Sequence, residues 1–281
     1  ATHELTIQPK PQQQPMPVWF GGRSTAAYRR VARLGDGFLG SNQPPADVER
    51  VGAMIFLHGG PEGQSRPGYN ELFPHLLDKG ITVFAPNVRG SGGFGRSFAH
   101  GDEREKRFAA IDDVADSAEY LAAHGLADPG RIACAGWSYG GYLTLAALTF
   151  HPELFAAGIS ICGMSDLTTF YRTTEAWIAA AAYPKYGHPV SDRDLLEALS
   201  PLRRADRLRA PLLVVHGGTD TNVPVGESEQ IVEALRGLGG SVRYLLFDDD
   251  GHEISKRENR ETLAAEVANW LAAAFNSARA S

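Results

Sequence analysis

The chain has 281 residues, with 27 Lys and Arg against 33 Asp and Glu, for a net charge of −6. That balance leaves no basic excess for a phosphate backbone, which speaks against nucleic-acid binding, and 43% hydrophobic with 21% charged residues speaks against disorder. Two cysteines, Cys134 and Cys162, make neither a disulfide framework nor a cysteine-only zinc site.

No apolar run approaches the roughly 18 residues of a membrane span. The start, ATHELTIQPKPQQQP, has no charged stretch leading into an apolar one, so no signal peptide is expected and the expected location is the cytoplasm, away from membranes. Residues 17–42 read as strand, helix capped by Ser24, and strand. This piece resembles the last strand–helix–strand unit of luciferase-like monooxygenases. The rest of such a barrel, which needs about 250 residues, is absent, so residues 1–50 are expected to be an N-terminal extension, a fusion fragment that lends strands to the sheet.

From residue 51 strands and helices alternate. VGAMIFLH (51–58) is a strand stopped by Gly59-Gly60-Pro61; a helix lies near 69–79 and ends at Gly80. ITVFAPNV (81–88) is a strand leading into the glycine-rich RGSGGFG. A helix spans 109–124 with Ala115, Ala118, Leu121 and Ala122 on one face. RIACAG (131–136) is a strand running straight into a helix that begins WSYGGYL. FAAGISICG (155–163), PLLVVHG (211–217) and VRYLLFD (242–248) are further strands, and an amphipathic helix closes at 261–275. Strands alternating with helical crossovers predict a mainly parallel, twisted sheet with helices on both faces. Gly 31 and Pro 17 supply its many tight turns. Residues 164–200 interrupt the rhythm as a helical insertion with Phe170, Tyr171, Trp177, Ile178 and Tyr183. With Trp137, the first four are expected to line a substrate pocket; the competing reading is that they pack the insertion onto the body.

The chemistry centres on Gly136-Trp137-Ser138-Tyr139-Gly140, a G-x-S-x-G with a strand before it and a helix after. Small residues let the chain turn sharply and hold Ser138 at the N-terminus of the helix, where the helix dipole favours negative charge. A serine nucleophile needs a base held by an acid, in the chain order Ser, Asp or Glu, His. Asp220 follows one strand and His252 the next, both past strand C-terminal ends. Asp248, Asp249 and Asp250 read as a solvated acidic turn. His216 competes as base, but it precedes Asp220 and breaks the order. The backbone N–H of Tyr139 is one expected oxyanion donor, and the His58-Gly59-Gly60-Pro61 loop is placed to supply the second.

HGGP, NVRGSGGFG, GWSYGG, HGGTDTNVP and DDGHE, in this order over residues 51–275, resemble the catalytic domain of the prolyl oligopeptidase family, closest to its acylaminoacyl-peptidase-like branch. The resemblance implies an α/β-hydrolase fold for residues 51–281, with Ser138 as nucleophile, Asp220 as orienter, His252 as base, Gly60 and Tyr139 as oxyanion donors, and neither cofactor nor metal. Peptidases of this family carry a large N-terminal β-propeller, whereas about 50 residues precede the strand that leads into HGGP here. An open site and the better leaving group of an ester make a carboxylesterase acting on small acyl or aryl esters the first expectation. A serine peptidase acting on short peptides is the alternative, and a homo-oligomer is the expected assembly.

Three further patterns point to no site. Gly90-Ser91-Gly92-Gly93-Phe94-Gly95 fits G-x-G-x-x-G, but Asp112 and Asp113 fall inside a helix rather than after a second strand, so a site rim is expected. His252-Glu253 opens like a zinc-protease motif, yet position 256 is Lys. DEREKR (102–107) is expected to be a solvated face.

Overall fold

Strand residues alternate between two apolar faces, and that alternation builds the molecule. The computed structural model describes residues 19–20, 37–38, 52–66 and 68–277. Strands β3 (Ala53–Leu57), β4 (Thr82–Phe84), β5 (Ile132–Trp137), β6 (Ala157–Ile161), β7 (Leu212–Gly217) and β8 (Val242–Phe247) form one sheet in the order β4-β3-β5-β6-β7-β8. Every pairing in it is parallel. Ile55, Cys134 and Val214 point to one core; Met54, Ala133 and Leu213 point to the other. Both faces of a parallel sheet must be covered, and near-continuous apolar runs are the result.

Helices α1 (Leu72–Asp78) and α8 (Arg257–Ser277) cover one face through Leu76, Leu263, Val267 and Leu271. Helices α2 (Arg107–Ala123), α3 (Tyr139–Phe150) and α7 (Gly226–Gly237) cover the other. On α2 Ala115, Ala118 and Leu121 are buried as the periodicity predicts, with Ala122 half-buried. This is the α/β-hydrolase fold. Helix α7 escapes the sequence reading because its first turn, Gly-Glu-Ser-Glu, is polar; its apolar stripe of Ile231, Val232 and Leu235 is confined to the second half. The insertion folds as α4 (Leu167–Thr173), α5 (Ala176–Tyr186) and α6 (Arg193–Leu199). It is anchored by Glu227, a buried carboxylate on α7 that accepts hydrogen bonds from Ser165 N and Asp166 N, both 2.9 Å.

Among the residues before 52, β1 (Trp19–Phe20) and β2 (Gly37–Phe38) pair in parallel as a separate two-stranded sheet. Neither of these two described strands joins the main sheet, to which the segment was expected to lend strands. The helix expected after Ser24 lies outside the described residues. No helix among the described residues is long and apolar enough to cross a membrane.

Candidate active site

The turn from β5 into α3 places Ser138 at φ 58°, ψ −117°, a positive-φ conformation that is strained for any residue with a side chain. Two backbone approaches dictate the neighbours. A Cβ at Gly136 would lie 2.3 Å from the Gly140 backbone, and one at Gly140 would lie 2.0 Å from Leu57 O. Gly140→Ala is accordingly expected to destabilise the protein by about 1–3 kcal/mol, because the obstructing atoms belong to backbone that cannot rotate away. A melting curve matching wild type would contradict this.

Ser138 Oγ stands 3.0 Å from His252 Nε2, and His252 Nδ1 stands 2.7 Å from Asp220 Oδ2. Three residues distant in the chain converge because the loops after β5, β7 and β8 all open at the same sheet edge. Asp220 Oδ1 accepts hydrogen bonds from Asn222 N and Val223 N, 2.8 and 2.9 Å. Burial pushes the Asp220 carboxyl up, but hydrogen bonds from His216, His252 and Val223 N–H outweigh it and hold the group well below the usual carboxylate range. An ionised carboxylate only accepts, so His252 carries its proton on Nδ1 and offers the Nε2 lone pair to the Ser138 hydroxyl.

The loop bearing His252 is fixed from two sides. Trp137 Nε1 donates to His252 O at 3.0 Å. Asp250, expected in a solvated turn, is buried; its carboxylate accepts from Ser255 N at 3.1 Å and Asn259 Nδ2 at 2.7 Å. Only Asp248 and Asp249 of that run face solvent.

At the other side of Ser138 lies the His58–Pro61 loop. A Cβ on Gly59 would meet Ser138 Cβ at 3.5 Å, so this loop runs against the serine. Burial pushes the His58 imidazole down; Nδ1 donates to Gly59 O at 2.7 Å and Nε2 hydrogen-bonds Ser91 Oγ at 2.7 Å. The carbonyl of a planar trans peptide turned toward His58 sends the Gly60 N–H the opposite way. Tyr139 N–H, at the first residue of α3, has no acceptor within its own helix. The glycine-rich loop is part of this rim, through Ser91 and through Gly92 N donating to Gly63 O at 2.9 Å.

Beneath Tyr139 the run 102–107 corrects its expected solvated character. Glu105 and Lys106 face water, but Asp102 and Arg107 are fully buried and their charged atoms lie 2.9 Å apart. Tyr139 OH donates to Asp102 at 3.0 Å, and the Arg107 guanidinium lies over the Tyr139 and Tyr186 rings at 5.0 and 4.4 Å. Nothing in the mixed charges of that hexapeptide distinguishes its buried ends; the fold alone buries them.

The expected pocket residues part company. Trp137 lines a cavity of about 370 Å³ with Phe56, Leu72, Glu253 and Ile254, against the loop of His252. Phe170 and Tyr171 are buried in the core cluster that packs the insertion onto the body, Ile178 is half-buried against it, and Trp177 is 68% exposed. Cys162 Sγ, Asp220 and His252 present donor atoms within 4.8 Å of one another. Burial and the Asp220 charge push the Cys162 thiol up, and Asp220 and His252 are engaged with each other at 2.7 Å. Both cysteines are free thiols.

Residues 69–278 match the prolyl oligopeptidase family. The chain belongs to that family. Among curated members of the prolyl oligopeptidase family, it is 33% identical to dipeptidyl aminopeptidase BIII of Pseudoxanthomonas mexicana, over 96% of this chain and 40% of that protein. It is 34% identical to dipeptidyl peptidase family member 6 of Caenorhabditis elegans, over 92% of this chain and 35% of the relative. A solved puromycin-hydrolyzing peptidase of Mycobacterium tuberculosis superposes with a TM-score of 0.77 at 28% identity, covering 85% of this chain and 36% of that one. The acylaminoacyl peptidase of Pyrococcus horikoshii gives 0.73 at 29%, covering 79% and 37%. The chain thus spans 40% or less of the length of these relatives. Residues 1–56 match the luciferase-like monooxygenases, a longer stretch than residues 17–42, whose strand–helix–strand pattern carries the resemblance.

Proposed function

We propose that this protein is a serine peptidase that cleaves amide bonds of short peptides through an acyl-enzyme, with residues 51–281 as its catalytic domain. The observation that carries the reading is the 3.0 Å approach of Ser138 Oγ to an imidazole oriented by Asp220. Ser138 Oγ attacks the substrate carbonyl while its proton passes to His252 Nε2, and the Asp220 carboxylate stabilises the imidazolium that forms. The N–H groups of Tyr139 and Gly60 take the developing oxyanion, each donor being worth about 3 kcal/mol. His252 then gives the proton to the departing amine, and water repeats the sequence on the ester to Ser138.

Amide rather than ester cleavage is favoured because the relatives are named as dipeptidyl, acylaminoacyl and puromycin-hydrolyzing peptidases. The carboxylesterase expectation rests on leaving-group chemistry alone, and a triad competent for amides also hydrolyses activated esters. Initial rates on aminoacyl, dipeptidyl and N-acetyl-aminoacyl anilides, beside p-nitrophenyl acetate to octanoate, separate the two. Turnover of at least one anilide class is expected; hydrolysis of the esters with every anilide and short peptide left intact would return the assignment to esterase.

A further inference from the structure

His216 is the histidine that chain order rejects as base, and the fold gives it another place. It is the next-to-last residue of β7, with no solvent exposure, four residues before Asp220. Its Nε2 faces two acceptors, Val223 O at 2.8 Å and Asp220 Oδ2 at 3.2 Å. Neither can donate, so Nε2 carries the proton and is shared between them. Its Nδ1 is held by Ser228 Oγ on α7 at 2.6 Å. Asp220 Oδ2 therefore lies between two imidazoles, His216 behind and His252 in front, while Oδ1 is occupied by the two backbone N–H groups of Asn222 and Val223. Both carboxylate oxygens have two donors each. Four donors leave the carboxylate little freedom to rotate about Cβ–Cγ; without His216, Oδ2 keeps His252, with the Cys162 thiol close by, while Oδ1 keeps its two backbone N–H groups.

We infer that His216 is a positioning residue, which transmits the anchorage of α7 through Ser228 to the Asp220 carboxylate and so aims Oδ2 at His252. The inference rests on the triad reading above. His216 touches no substrate, so its loss acts on kcat and leaves KM alone. Misplacing a catalytic group by an ångström costs on the order of 100-fold, so His216→Phe is expected to lower kcat on a cleaved anilide by roughly 10- to 100-fold with KM within about twofold. His216→Gln places an amide N–H near the position of Nε2 and should recover most of the loss, whereas the shorter amide of His216→Asn should not.

The decisive comparison repeats His216→Phe in an Asp220→Asn background, where a residue acting only through Asp220 has nothing left to position and should add no further loss. An undiminished loss in that background would mark His216 as merely structural. Wild-type kcat in His216→Phe, or Gln no better than Asn, would equally overturn the inference. Should the Phe variant lack a cooperative melt, the contrast between Gln and Asn decides alone. Ser138→Ala on the same anilide separates the layers: residual activity there defeats the triad itself, whereas a dead Ser138→Ala beside fully active His216 variants defeats only the positioning role.

Discussion

Ser138→Ala is expected to retain the fold and to lose about 10⁵- to 10⁶-fold in kcat, since removing the nucleophile of a triad abolishes nearly all the rate the unit provides. The variant deletes the hydroxyl that stands 3.0 Å from His252 Nε2 and nothing else. The positive φ at this position remains, because it is imposed by the close approaches at Gly136 and Gly140 rather than by the serine. Melting temperature should change little, and labelling by a fluorophosphonate probe should vanish. Anilide turnover within about tenfold of wild type would remove Ser138 from the chemistry, whatever the geometry.

Asp220→Asn is expected to cost about 10⁴-fold with the site otherwise intact. The amide nitrogen of Asn can donate where the carboxylate only accepts, and an Asn that donates toward His252 Nδ1 selects the tautomer with the proton on Nε2. That proton faces Ser138, and the base is blocked. The same substitution has a pH signature. The Asp220 carboxyl lies below its ordinary value in the folded protein, because its hydrogen bonds outweigh burial. A depressed folded pKa adds stability that is complete above the unfolded value, about 3.9, and is lost as pH falls toward the folded one. Melting temperatures of Ser138→Ala and of Ser138→Ala/Asp220→Asn should therefore differ most at neutral pH and converge below about pH 4. A gap that widens on acidification would show that the carboxylate is not stabilised in the native state.

Much of this site was legible because its requirements are local. A serine on a turn that tolerates only glycine beside it leaves a motif, and strands rich in apolar residues with glycine-rich ends mark where a parallel sheet opens. Ser138, Asp220 and His252 could be singled out on those grounds. The same grounds fail for Asp102, Arg107, Asp250 and His216. Each is polar, each is buried, and each is buried by partners far off in the chain or on another element: Tyr139 over Asp102, Asn259 under Asp250, Ser228 behind His216. A charged hexapeptide reads as solvated because water is the ordinary partner of charge, and only a fold that brings a second charge or donor to 2.9 Å changes the balance. Helix α7 was lost for a related reason, since its polar first turn faces inward, with Glu227 and Ser228 buried.

The amino-acid sequence alone determined the alternating α/β order, the glycine-flanked serine turn and the chain order of Ser138, Asp220 and His252, because hydrophobic period and backbone sterics act between near neighbours. Tertiary structure alone decided where the rejected histidine, His216, sits behind Asp220, which acids are buried, and how close Ser138, His252 and Asp220 come. Those depend on distances between loops that meet only once the sheet is assembled, and no local pattern encodes a distance across 114 residues of chain.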